Sequence, residues 1–119
     1  MPLTTNLKDD GILRIYLSGN IDEVLLTELQ NQVIPLMDAT TPDKPVHVII
    51  FPQNVTKVAL SARRYLSQLN NHPGMGMIAV INAPRIMRIL GKFIEIASRN
   101  ENMGFFTEES EAVAWIKSK

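Results

Sequence analysis

The sequence predicts one α/β domain: a mixed, mostly parallel sheet of four to five strands carrying about four helices. Three observations lead there. Val46-His47-Val48-Ile49-Ile50-Phe51 and Met77-Ile78-Ala79-Val80-Ile81 are nearly continuous apolar runs of strand length, as in strands covered by helices on both faces. The stretches around them carry apolar residues three and four positions apart, the period of a helix with one buried side. The two kinds of segment alternate along the chain, and such alternation places crossover helices on the faces of a parallel sheet.

Taken in order, Gly11 to Gly19 reads as a strand, with Leu13, Ile15 and Leu17 on an apolar side and Ile12, Arg14, Tyr16 and Ser18 on the other. Asp9-Asp10-Gly11 is turn chemistry, and residues 2–8 are expected to form an edge strand before it. Asn20 or Asp22 caps a helix with apolar positions Ile21, Leu25, Leu29, Val33 and Leu36, widened by Leu26 and Met37. Pro35, which has no amide hydrogen, is expected to bend or end it. Ala39 to Pro45 is a loop. Pro52-Gln53-Asn54 is expected to end the central strand, and a second helix to run from Val58 to Asn71, stopped by His72-Pro73-Gly74. Its inward residues are Val58, Ala62, Tyr65, Leu66 and Leu69. Pro84 suits the first position of a third helix, with Ile86, Ile89, Leu90, Phe93 and Ala97 as its inner stripe. Gly104-Phe105-Phe106 is a short last strand. Thr107 with Ser110 or Glu111 opens a closing helix from Glu108 to Ile116, apolar at Ala112, Val113 and Ile116, with Trp115 beside them.

The 119 residues suit a single domain spanning 1–119, and 45% hydrophobic with 20% charged residues argues against disorder. Twelve basic and twelve acidic residues cancel, so no overall field draws in nucleic acid or an anionic membrane. Near-zero charge also removes a guard against self-association, which makes a homodimer an expectation. The absence of cysteine excludes disulfides, thiolate metal sites and thiol nucleophiles. No apolar run reaches the length of a membrane span, and Met1 to Asn6 lacks a signal-peptide pattern, so a cytoplasmic location is expected.

No chemistry-bearing motif emerges. His47 and His72 fall in different elements with no ligand spacing around them, so neither a metal nor a cofactor is expected. None of the serines lies in a Gly-x-Ser-x-Gly elbow. Gly74-Met75-Gly76 follows a helix and opens a strand, the reverse of a phosphate-cradling loop. Arg85, Arg88 and Lys92 share a helix face that reads as solvated, or as a dock for an acidic partner or phosphorylated ligand; Arg63-Arg64 is a second basic cluster. Beyond its inner stripe the third helix carries Met87 and Ile94, with Gly91 between them. A helix apolar over so wide an arc is deeply buried or meets a partner, which makes Met87, Gly91 and Ile94 a candidate dimer or ligand surface.

Leu17-Ser18-Gly19-Asn20-Ile21-Asp22 resembles the "strand, x-x-Gly-x-(Leu/Ile)-Asp, helix" opening of STAS domains, the fold of anti-sigma-factor antagonists and of the cytoplasmic tails of sulfate transporters. The resemblance continues through Val46 to Phe51 as the central strand, the helix from Val58 as the switch helix, and Met77 to Arg88 as the next strand and turn. It closes on Phe105-Phe106-Thr107-Glu108-Glu109-Ser110-Glu111-Ala112-Val113, which looks like the "aromatic, Thr/Ser, x-Glu-Glu-Ala" strand and helix. It covers most of the chain and is nearest to stand-alone SpoIIAA-like (STAS/lipid-transfer-like) bacterial proteins. The regulatory family carries Asp-Ser-Ser/Thr-Gly at the start of the switch helix, where a hydroxyl is phosphorylated. Here Phe51-Pro52-Gln53 and Asn54 to Leu60 depart from that pattern, leaving Thr56 and Ser61 as the nearby hydroxyls.

The resemblance therefore implies a non-enzymatic binding or regulatory module that contacts a protein partner without the usual phosphoswitch. By analogy its partner surface is Asn54, Thr56, Lys57, Ser61 and Arg64. Two alternatives stay open. One is a carrier of a small apolar or lipid-like ligand, with methionines such as Met75, Met77 and Met87 lining an adaptable pocket. The other is an enzyme whose acid-base site joins Asp22, Ser18, His47 and Arg85 at strand ends.

Overall fold

Gly11 has a φ of +80°, a backbone conformation that a glycine adopts without strain, and it turns the chain between the first two strands. A computed structural model describes residues 3–118; Met1, Pro2 and Lys119, at the ends of the expected domain and edge strand, lie outside the described residues. Strand β1 (Leu3–Leu7) pairs antiparallel with β2 (Ile12–Ile21), from Leu3 opposite Leu17 to Leu7 opposite Leu13. Helix α1 (Glu23–Asp38) follows, then β3 (Val46–Val58), α2 (Ala62–Asn70), β4 (Met75–Ile81), α3 (Arg85–Ser98), β5 (Met103–Phe106) and α4 (Glu109–Lys117).

The sheet order is β1-β2-β3-β4-β5, with β2 to β5 parallel. Because every crossover steps in the same direction with the same hand, α1, α2 and α3 share one face. That face holds the larger core: Leu13, Ile15 and Leu17 of β2 and Val48 of β3 meet Leu25, Leu26, Leu29, Val33 and Met37 of α1, Ala62 and Leu69 of α2, and Met87 of α3. Among the described residues helix α4 alone covers the other face, where Ala112 and Ile116 pack on Ile12, Ile49, Ala79 and Ile81. The two-sided burial of β3 and β4 is what their continuous apolar runs require.

Asp22 is the cap of α1: its carboxylate accepts from the Leu25 amide at 2.9 Å. Pro35 does not end that helix at its own position; the helix runs on to Asp38. Pro35 lacks the amide hydrogen that would bond the Asn31 carbonyl, so the last turn of α1 forgoes that bond and keeps its helical geometry. Glu108 and Glu111 form a reciprocal capping box at the start of α4.

Three further expectations fail. The central strand does not stop at Pro52, and the second helix does not start at Val58: β3 continues to Val58 and α2 begins at Ala62. Beyond Ile50 the strand has lost its β4 neighbour but still pairs with β2 as far as Val58 opposite Ile21. The third helix is also turned about its axis. Ile86, Ile89 and Phe93, expected inside, are 51%, 48% and 47% exposed, while Met87, Gly91 and Ile94 face inward.

Candidate functional site

Three features could hold a ligand or partner. The first is the rim formed by the end of β3 and the start of α2. Ser18 pairs with Gln53 and Gly19 with Val55, then Asn20 with Lys57, so Asn54 and Thr56 have no opposite number in β2 and bulge from the ladder. Asn54 takes a left-handed φ of +49°, which asparagine tolerates better than most residues. Asn54, Thr56, Lys57 and Arg64 are exposed, and Ser61 is half-buried. Ser61 does not cap α2; its hydroxyl donates to Glu23 Oε1 at 3.0 Å. The Arg64 guanidinium lies 5.5 Å from the Tyr65 ring centre. The five residues expected by analogy thus follow one another along a strand end and a helix start, and not along a helix from Val58.

The second feature is internal. Leu17, Val48 and Val80 of the sheet, Leu29 of α1, Leu66 of α2, and Leu90 and Ile94 of α3 surround an apolar cavity of about 70 Å³. Met75, Met87, Gly91 and Met103 also line it. Met87, Gly91 and Ile94, expected as a dimer or ligand surface, are buried and face this cavity. They lie over the sheet because Gly91 lets α3 come close: a Cβ there would stand 3.0 Å from the Phe105 ring.

The third feature went unrecognised in the sequence as a surface. Ile86, Ile89, Phe93 and Ile96 form an exposed apolar stripe along α3. Arg85, Arg88 and Lys92 are exposed beside it. Arg63 of α2 places its guanidinium 5.4 Å from the Phe93 ring centre. The spacing of three, four and three is the available signal, but helical spacing alone reads Ile86, Ile89 and Phe93 as an inner stripe and leaves Ile96 out.

The four residues expected to join in an acid-base site are not all brought together, because His47 lies at the opposite end of the sheet from Ser18 and Asp22. His47 stands opposite Ile12, at the start of β2, whereas Ser18 and Asp22 stand at its far end. His47 Nδ1 accepts from the Met77 amide at 2.9 Å, and burial lowers its pKa. The Asp22 carboxylate is engaged in capping. His72 Nε2 pairs with Asp38 Oδ1 at 2.7 Å, while its Nδ1 accepts from the Gly74 amide. Among the described residues no group of three or more His, Asp or Glu could hold a metal ion, and no helix is long and apolar enough to cross a membrane.

Two buried polar clusters serve the scaffold. Arg14, 3% exposed, bonds Asp10 Oδ1 at 2.6 Å and Glu109 Oε2 at 3.0 Å, joining the first turn to α4. Asn102 donates to Asn70 Oδ1 and to the Gly76 carbonyl, both at 2.7 Å, and Asn70 donates to Ser98 Oγ at 2.8 Å.

The architecture is SpoIIAA-like. An uncharacterized protein from the DUF3478 family with a SpoIIAA-like fold, from Shewanella loihica, superposes with a TM-score of 0.69 at 14% identity, over 96% of this chain and 91% of that one. The anti-sigma factor antagonist SpoIIAA in its unphosphorylated form gives 0.67 at 11% identity, over 98% and 97%. An anti-sigma factor antagonist from Mycobacterium paratuberculosis gives 0.61 at 17% identity, over 97% and 94%. At these identities the likeness is one of fold. No curated protein matches the sequence. The family described as a domain of unknown function (DUF7793) matches residues 6–119, and the chain belongs to it.

Proposed function

We propose that this protein is a non-enzymatic regulatory module of the cytoplasm that works by contact with another protein, without the phosphoswitch of its structural relatives. The observation that carries the reading is the β3–α2 rim, where a bulge turns Asn54 and Thr56 out of the ladder next to exposed Lys57 and Arg64. Bulges re-aim side chains at functional edges of sheets. Two proteins of the same fold are anti-sigma factor antagonists, a name that describes action on another protein. The absence of a switch at Ser61 is supported by Glu23, whose carboxylate accepts the Ser61 hydroxyl at 3.0 Å; a phosphate there would meet a like charge.

The test is capture of partners from the native lysate by the wild type and by Thr56→Glu and Lys57→Glu variants, with intact mass of the recovered protein. Loss of a specific protein partner in both variants, with unchanged melting temperature, is the expected result. Equal capture by all three proteins would overturn the rim as the contact surface, and a phosphate on Thr56 or Ser61 would overturn the switch-free reading.

One observation favours a second reading. The cavity of about 70 Å³ is apolar throughout apart from Asn70, and it is about half the volume that holds a benzene molecule, ~150 Å³. It suits a small apolar ligand and excludes a whole lipid unless α3 moves. Native mass spectrometry of the purified protein tests it: an added small-molecule mass supports carriage, and a bare chain mass argues against it.

A further inference from the structure

Helix α3 carries two apolar seams. Met87, Leu90, Gly91 and Ile94 face the cavity under the helix. The other seam, Ile86, Ile89, Phe93 and Ile96, is about half exposed at every position. Its spacing of three, four and three is that of the a and d positions of a heptad, Ile86 and Phe93 at a, Ile89 and Ile96 at d. In that register both g positions inside the helix are cations, Arg85 and Lys92, and the next g position is Arg99 at the helix end. The e positions, Leu90 and Ala97, carry no charge. Arg63 of α2 also reaches the seam, its guanidinium 5.4 Å from the Phe93 ring centre.

We propose that this outer seam of α3 is one half of a two-helix contact, and that it takes an amphipathic helix of a partner protein with an apolar a/d seam and acidic residues facing Arg85 and Lys92. The narrowness of the stripe is that of a helix–helix seam; a helix lying in a membrane presents a broader apolar face. The chain's balanced charge supplies no general pull toward an anionic membrane. Charge also selects against a second copy of this chain. An antiparallel pair would set Arg85 and Lys92 against themselves, and a parallel pair would leave them opposite Leu90 and Ala97. An acidic helix satisfies the cations in either direction. This surface lies on α3, apart from the β3–α2 rim, and the two are tested by different substitutions.

The probes are two labelled helical peptides of about three heptads, alike in leucine at a and d, one with glutamate and one with lysine at e and g. Binding is followed by fluorescence anisotropy, alongside sedimentation with phosphatidylcholine vesicles with and without phosphatidylserine. The glutamate peptide is expected to bind about tenfold or more tightly than the lysine peptide, a preference that shrinks in salt. Arg85→Glu with Lys92→Glu reverses the preference, and Ile89→Asp removes binding of both peptides. These side chains are exposed, so the variants keep the wild-type melting temperature, and Thr56→Glu leaves peptide binding unchanged. Equal affinity for the two peptides overturns the proposal, as does a preference that survives the double charge reversal. Sedimentation with anionic vesicles in the absence of peptide binding reassigns the seam to a membrane. A dimer of this chain that Ile89→Asp dissociates reassigns it to self-association.

Discussion

Replacing Arg14 by methionine should destabilise the protein by about 2–3 kcal/mol. The guanidinium donates to Asp10 Oδ1 at 2.6 Å, to Glu109 Oε2 at 3.0 and 3.3 Å, and to the Ile12 carbonyl at 3.2 Å. Breaking a fully buried ion pair by removing one partner costs about 3–5 kcal/mol, because the other charge is stranded. Here the stranded carboxylates are not fully buried: the side chains of Asp10 and Glu109 are 23% and 39% exposed, so water recovers part of the loss. Methionine keeps the apolar stem in the space the arginine occupied. At this chain length about 4 °C accompanies each kcal/mol, so the melting temperature should fall by about 8–12 °C. Urea denaturation should show a lower midpoint with an unchanged slope.

The same contact carries a pH signature. The Arg14 hydrogen bond, opposed in part by burial, holds the Asp10 carboxyl below its ordinary value of 3.8. A folded pKa below the unfolded one means the stabilisation is complete above 3.8 and is lost as the pH falls through the lower folded value. The gap between wild type and variant should therefore close in acid. A destabilisation under about 0.5 kcal/mol, or a gap that persists undiminished below pH 3.8, would refute the reasoning.

Three further outcomes are expected. Asp22→Ala should cost about 1 kcal/mol by removing the α1 cap, and Asn20→Ala should not, a contrast read from paired urea curves. Asn102→Ala strands the Asn70 and Gly76 acceptors inside the protein and should cost about 2–3 kcal/mol; a near-neutral urea midpoint would mean that water reaches them. Burial holds His47 below its ordinary 6.5, so its contribution is full above that pH and declines as the pH falls through the lower folded value. A His47→Gln variant should lose that slope in a melting-temperature profile, and a slope unchanged by the substitution would place its cause elsewhere.

The core of this fold was legible because its signals were redundant. In β2, Leu13, Ile15 and Leu17 alternate with Ile12 and Arg14, and Asp22 stands where α1 needs a cap. The β3 and β4 runs are nearly continuously apolar because both faces are covered. What failed did so for identifiable reasons. Pro52 and Asn54 have turn chemistry, and nothing local reveals that β3 keeps β2 as a neighbour after losing β4, with Asn54 absorbed in a bulge. The two seams of α3 are chemically equivalent, so spacing alone does not tell which one faces the sheet. Gly91 distinguishes them, since a missing side chain serves close approach and has little use on a solvent face. The β3–α2 residues rest on family analogy, and no local pattern marks them. The exposed seam was visible as a pattern but assigned to the wrong side.

Strand order that equals sequence order has a consequence for how the molecule is made. Each strand, as it leaves the ribosome, finds its neighbour already in place, and none must be inserted between two earlier ones. The face under α1, α2 and α3 is complete before α4 is synthesised. Until then Ile12, Ile49, Ala79 and Ile81 lack the cover that Ala112 and Ile116 bring to the other side of the sheet. The nine residues of α4, fastened by Glu109 to an arginine 95 positions earlier, are what turn a sticky nascent sheet into a finished protein.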